Sequence, residues 1–228
     1  MYPSTLGTLR AVDQRINLYI RTFLGYTAEA ADEFRLSLWE KHGTTLKGLE
    51  EHHGVDREHY CDFIHDIEER HFPTPNPELT AWLNRIPHPT YIFTNARKDW
   101  PVRGLKAMGL ASILPKVVAH APDKRAIGLE PVGSKGLRLQ GIFDISFMDW
   151  KGKPHPDAYE KVEAYLLQAH GADIEINFAD DRIDNLEAAQ KRNWVTIWIA
   201  PPNALKQPLV AFDRVASSLT NLDPERLA

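Results

Sequence analysis

Only one of the 228 residues is a cysteine, Cys61, so an internal disulfide framework is excluded and a reducing compartment fits. No apolar run reaches transmembrane length and no signal-peptide pattern opens the chain, which reads as a cytoplasmic protein with no membrane partner. An excess of positive charge is missing as well. The formal net charge is −4 and the sequence pI about 6.2, which argues against a nucleic-acid partner. What the chain does have is 43% hydrophobic content, enough for a full core as one large domain or a domain with an insert.

Two textures follow one another along it. From Val12 the apolar positions Val12, Ile16, Tyr19, Ile20 and Phe23 recur at helical spacing, and Gly25 closes that helix. Thr27 can cap a second helix through Phe34, Leu36 and Trp39, and Gly43-Thr44-Thr45 breaks it before a short helix to His52. Gly54 and Asp56 start another, with Tyr60, Phe63, Ile64 and Ile67 on one face. Residues 10–73 therefore read as a helical module ending at the Pro73, Pro75 and Pro77 linker. Trp39, Phe63 and the other aromatics of this module read as core. Its histidines, His52, His53, His59, His65 and His71, lack the i, i+4 spacing of a helical zinc pair and read as solvated helix faces.

Beyond the linker, strands alternate with helices. Tyr91-Ile92-Phe93 is a short buried strand, Ile142 to Phe147 a second, Ile174-Ile176-Phe178 a third and Val195 to Ile199 a fourth. Helices stand between them, from Asp99 to Met108, after Pro156 and after Asp181. Such alternation predicts a parallel sheet in a doubly wound α/β fold, which binds ligands at the carboxyl ends of its strands. Thr94, Asn95, Lys153, Asp180 and Asp181 would lie along that edge. A hydroxyl, an amide, an ammonium and two adjacent carboxylates can hold a phosphate together with Mg²⁺. Each also has a plainer role, as a helix cap for Thr94, Asn95 and the acidic pair, or a surface charge for Lys153. Residues 111–141 carry five Lys or Arg against two acids with several Pro and Gly, and read as an irregular insertion. A likeness to a P-loop at Gly128 to Lys135 fails, because the order is Gly-Ser-Lys and no strand leads into a helix.

Ile92-Phe93-Thr94-Asn95-Ala96, Lys153-Pro154-His155-Pro156-Asp157-Ala158-Tyr159 and Phe178-Ala179-Asp180-Asp181 with Asn185-Leu186 resemble motifs two, three and four of the haloacid dehalogenase superfamily of phosphohydrolases. Tyr2-Pro3 and Gly43-Thr44-Thr45-Leu46-Lys47-Gly48-Leu49 are similar to its pyrimidine 5′-nucleotidase branch. The resemblance implies a Rossmann-like three-layer core over residues 1–9 and 74–228, with residues 10–73 as an inserted helical cap. It implies Mg²⁺-dependent hydrolysis of a small phosphate ester, a nucleoside 5′-monophosphate, through an aspartyl-phosphate. Thr94 and Lys153 would serve catalysis, Thr94, Asn95 and Lys153 would hold the phosphate, Asp180 and Asp181 would hold Mg²⁺, and Asn185 would support them. The helical cap would close over the site and choose the leaving group.

The family's first motif, Asp-x-Asp-x-Thr on a leading strand, occurs nowhere in the chain. The nucleophile, the acid/base and the first core strand are thus absent or truncated, and no phosphatase turnover is expected of these 228 residues alone. Either Met1 is internal to a longer protein, or the chain is a catalytically dead relative that holds a nucleotide or a partner. A phosphatase for another ester, such as a sugar phosphate, is the further alternative.

Overall fold

The computed structural model describes residues 7–114, 139–201 and 211–227. The chain divides into two compact units, Met1–Pro75 and Asn76–Ala228. Tyr2-Pro3 and residues 115–138 of the expected insertion lie outside the described residues.

The first unit is helical: α1 (Thr8–Leu24), α2 (Ala28–His42), α3 (Thr45–His53) and α4 (Arg57–His65). Its boundaries are set by local chemistry. Thr27, Thr44 and Asp56 each accept a backbone N–H three residues on, from Ala30, Lys47 and His59, and so cap α2, α3 and α4. Gly25, Gly43 and Gly54 end α1, α2 and α3 in the left-handed region. The buried interior holds Tyr19, Ile20, Ala31, Leu38, Leu49, Tyr60 and Ile64. Two expectations are corrected here. Thr8 and Leu9 belong to α1 and not to the α/β core, and Trp39 is 45% exposed and not core.

The second unit runs α5 (Pro77–Leu83), β1 (Thr90–Phe93), α6 (Asp99–Ala107), β2 (Leu139–Phe143), α7 (Pro156–His170), β3 (Asn177–Asp180), α8 (Ile183–Gln190), β4 (Val195–Ile199) and β5 (Arg214–Ala216). Every strand pair is parallel: β1 with β2, β3 with β4, and β4 with β5. The α/β class expected from the alternation is therefore present. The sheet is divided, however. Among the described residues the strands form one pair, β1-β2, and one triplet, β3-β4-β5.

α7 covers both. Ala158, Tyr159, Val162 and Leu166 pack into one cluster with Phe143, Phe178, Leu186, Trp194 and Trp198, and the Tyr159 ring stands 5.2 Å from Phe93 and 6.1 Å from Phe178. A second cluster joins Leu139 and Ile92 to Leu79, Leu83, Leu105, Met108 and Ile113 from α5, α6 and the turn after α6. Leu139 and Phe143 are both odd-numbered residues of β2, yet they enter different clusters. The register slips between Thr90 and Tyr91, whose partners are Leu139 and Gly141, and that one-residue bulge turns the strand over.

The strand boundaries differ from the sequence reading. β2 begins at Leu139, inside the expected insertion, because Leu139 is buried in the second cluster. It ends at Phe143 and not Phe147. Asp144, 5% exposed, stops it: Oδ1 accepts from Ser146 Oγ at 2.7 Å and Phe147 N at 2.9 Å, and Oδ2 from Lys98 N at 2.9 Å. Those bonds fold the chain into a turn and tie it to the start of α6. Residues Ala111–Ile113, at the start of the expected insertion, form a short 3-10 turn. β3 begins at Asn177; Ile174 and Ile176 precede it and pack on the core, and the Ile176 carbonyl accepts from Val195 N at the start of β4.

Asp144→Ala leaves three part-buried donors without an acceptor. It is expected to lower stability by about 3 kcal/mol, read as a drop in the urea midpoint at unchanged m.

Candidate active site

The carboxyl ends of β1 and β3 meet at one ammonium group. Lys153 follows the turn after Asp144 and stands just before α7. Its Nζ donates to Asp180 Oδ2 at 2.7 Å and to the Phe93 carbonyl at 2.8 Å. The Lys153 and Asp180 side chains are only 8% and 7% exposed. Phe93 and Phe178 wall the ammonium at 4.8 and 5.1 Å from their ring centres. Removing two charges from water is costly, and close pairing with satisfied hydrogen bonds is what offsets it.

The Phe93 carbonyl is an edge group. Thr94 N donates to Phe143 O at 2.9 Å, so the carbonyl of the same peptide unit points away from β2. On the other side, Ile176 O accepts from Val195 N, which puts the intervening groups of β3 away from β4. Lys153 therefore joins the two strands where neither has a strand partner among the described residues. An ammonium carries three N–H bonds. Two are directed at Phe93 O and Asp180 Oδ2, and the third meets no acceptor among the described residues.

Asp180 is held by three donors. Besides Lys153, its Oδ1 accepts from Arg182 N at 2.9 Å and Asn185 Nδ2 at 3.0 Å. The first of these closes a turn just before α8, whose N-cap position is Arg182, so Asp180 shapes the turn that leads into the helix and does not cap it. Asn185 is 3% exposed, its main-chain carbonyl accepts from Tyr159 OH at 2.7 Å, and its buried Oδ1 has no hydrogen-bond partner among the described residues. Burial and the nearby Asp180 and Asp184 push the Tyr159 hydroxyl pKa upward.

Asp181 is the more exposed of the two acids. Burial first, and then the charge of Asp180, push its carboxyl above the ordinary range. Its main-chain carbonyl accepts from Trp198 Nε1 at 3.1 Å, which fixes the backbone there.

Asn95 grips Lys153 from outside. Its Oδ1 accepts from Lys153 N at 2.7 Å and its Nδ2 donates to Lys153 O at 2.8 Å. Both amide groups thus position the lysine, a role the sequence reading did not give it. Thr94 Oγ1 accepts from Ala96 N at 3.1 Å, which leaves the hydroxyl proton for donation.

The structure thus brings Asn95, Lys153, Asp180 and Asn185 into one hydrogen-bonded chain, with Asp181 beside it and Thr94 next to Asn95. Sequence reasoning missed Gly152. A Cβ at that position would lie 2.7 Å from Asn95 Oδ1 and 2.9 Å from Ile145 Cδ1. Only glycine lets the amide reach the Lys153 backbone. A lone glycine before the motif lysine was the available signal.

No protein-family model matches the chain, and no curated protein does. Among solved structures, it is similar to an L-2-haloacid dehalogenase from Xanthobacter autotrophicus with chloropropionic acid covalently bound. That likeness has a TM-score of 0.46 and 16% identity, and it covers 92% of this chain and 82% of the other. At that level it assigns no chemistry to these residues.

Two outcomes follow from the geometry. Gly152→Ala is expected to cost about 1–3 kcal/mol by overpacking, measured as a lower urea midpoint. Asp181→Asn is expected to raise the melting temperature of the metal-free protein at neutral pH. The sign follows from linkage: a carboxyl whose folded pKa is raised destabilises the fold once pH passes the unfolded value of about 3.9. The difference between variant and wild type should therefore vanish in melts below that pH, and a gap that persists there would contradict the assignment.

Proposed function

We propose that the second unit belongs to a Mg²⁺-dependent phosphomonoester hydrolase of the haloacid dehalogenase type, acting on nucleoside 5′-monophosphates in the manner of a pyrimidine 5′-nucleotidase, and that these 228 residues carry its site without the nucleophile. The observation that carries this is the buried Lys153–Asp180 pair at the carboxyl ends of parallel strands, with one ammonium N–H left over and a second carboxylate alongside.

The residues fit a hard cation. The donors are all oxygens: the Asp180 and Asp181 carboxylates and the orphaned Asn185 Oδ1. Asp180 and Asp181 would hold the ion, with Asn185 in support, and Mg²⁺ bound there would neutralise charge developing on the phosphoryl oxygens. The chain's own groups supply the rest. The third N–H of Lys153 binds a phosphate oxygen, the Thr94 hydroxyl donates to another, and Asn95 keeps the lysine in place. Fixed donors of this kind do most of the work in phosphoryl transfer.

The reaction also needs a nucleophilic carboxylate. The reading places it on a strand between β1 and β3, where each has an edge without a partner strand among the described residues. The 228-residue sequence has no Asp-x-Asp, and that same observation favours a second reading, a non-catalytic protein that binds nucleotide through the remaining groups.

Mg²⁺-dependent phosphate release from UMP, CMP, AMP and p-nitrophenyl phosphate tests both, using the printed chain and the same chain joined to any reading frame in front of Met1. The printed chain is expected to be silent. An extended form carrying Asp-x-Asp should turn over at least one substrate, and Asp181→Ala or Lys153→Ala should reduce that by at least a hundredfold. Silence of both forms, with Mg²⁺-dependent nucleotide binding retained, would select the second reading. Turnover by the printed chain would mean that the nucleophile is misplaced here.

A further inference from the structure

The helical unit assembles three groups that phosphate chemistry does not use. Ligand atoms of His42, Glu51 and His52 all lie within 4.8 Å of one another. His42 ends α2, and Glu51 and His52 stand near the end of α3. The two helices come close because residue 48 is glycine: a Cβ there would sit 2.6 Å from Leu38 Cδ2 and 3.0 Å from His42 Cδ2.

The His42 ring is oriented from behind. Its Nδ1 faces Glu51 Oε2 at 3.0 Å, and its side chain is 15% exposed. A carboxylate at Nδ1 holds the proton on that nitrogen and leaves the lone pair on Nε2. His52 Nε2 lies 3.2 Å from that Nε2. Two ring nitrogens face each other at this distance either as an N–H···N hydrogen bond or as two ligands of one metal ion. A tetrahedral ion with bonds of about 2.0–2.1 Å spans roughly 3.3 Å between two nitrogens. The observed separation is already that bite. A carboxylate behind the imidazole is also how metal-binding histidines are usually held.

We propose that His42 Nε2 and His52 Nε2 bind a transition-metal dication of the Zn²⁺ class, with Glu51 positioning His42 and water completing the coordination. Imidazole nitrogens select such ions over Mg²⁺. The site lies in the helical unit, and it stands whether or not the phosphohydrolase reading does.

The test is a calorimetric titration of Zn²⁺ into the full chain in excess Mg²⁺, which fills oxygen-ligand sites. One equivalent is expected that His42→Ala and His52→Ala each remove and that His53→Ala retains. Glu51→Gln should weaken it about tenfold. His52 is exposed, so His52→Ala should keep the helical circular-dichroism signal, and loss of binding then reports loss of a ligand. Identical titrations of wild type and His52→Ala, or no equivalent in the wild type, would overturn the site. Unchanged affinity in Glu51→Gln would overturn the positioning role.

Discussion

A buried ammonium between two strand ends is the constraint on which the second unit depends. Lys153 satisfies an edge carbonyl of β1 and a carboxylate at the end of β3 at once. Removing the lysine would take the side-chain donor from the Phe93 carbonyl and the counter-charge from Asp180, which would keep only its two amide donors. The surrounding residues serve that placement. Asn95 fixes the backbone of Lys153, Gly152 makes room for Asn95, and Asn185 and the Arg182 amide hold Asp180 from the far side. Phe93 and Phe178 exclude solvent and add their ring faces to the attraction.

The same arrangement explains how two separate groups of strands share one core. Without β-pairing between β1 and β3, packing must link them, and α7 supplies it through Tyr159, which touches Phe93, Phe178 and Trp194 and hydrogen-bonds to Asn185. Asp144 plays the matching part at the end of β2, binding the loops that follow β1 and β2 to each other. Both ties are made between residues far apart in sequence, which makes them invisible to periodicity.

That difference sorts what could be read beforehand. Helix limits in the first unit followed from Thr27, Thr44, Asp56 and the glycines, because capping is decided within four residues. β1, β4 and the helix after Pro156 were legible for the same reason. β2 was misplaced because an apolar run from Ile142 to Phe147 says nothing about where a buried carboxylate will end the pairing. β5 was missed, since Arg214-Val215-Ala216 is too short to carry a pattern and pairs only because β4 lies beside it. In the site, Lys153 and Asp180 stood out as charged residues at motif positions. The work of Asn95 and Gly152 did not, because it depends on a contact across 58 residues. His42 was passed over likewise: ten residues separate it from His52, a spacing that has meaning only once α2 and α3 fold back on each other.

The charges at the strand ends also bear on which chemistry the site can support. Asp180 and Lys153 cancel, and Asp180 receives two further donors, so its negative charge is fully compensated. Asp181 is the surplus. Its carboxyl is pushed toward the neutral form by burial and by Asp180, so its anion is the group that a cation would stabilise most. The two adjacent acids are therefore unlike: the Asp180 anion is stabilised by the donors around it, and the Asp181 anion is destabilised by that same neighbour.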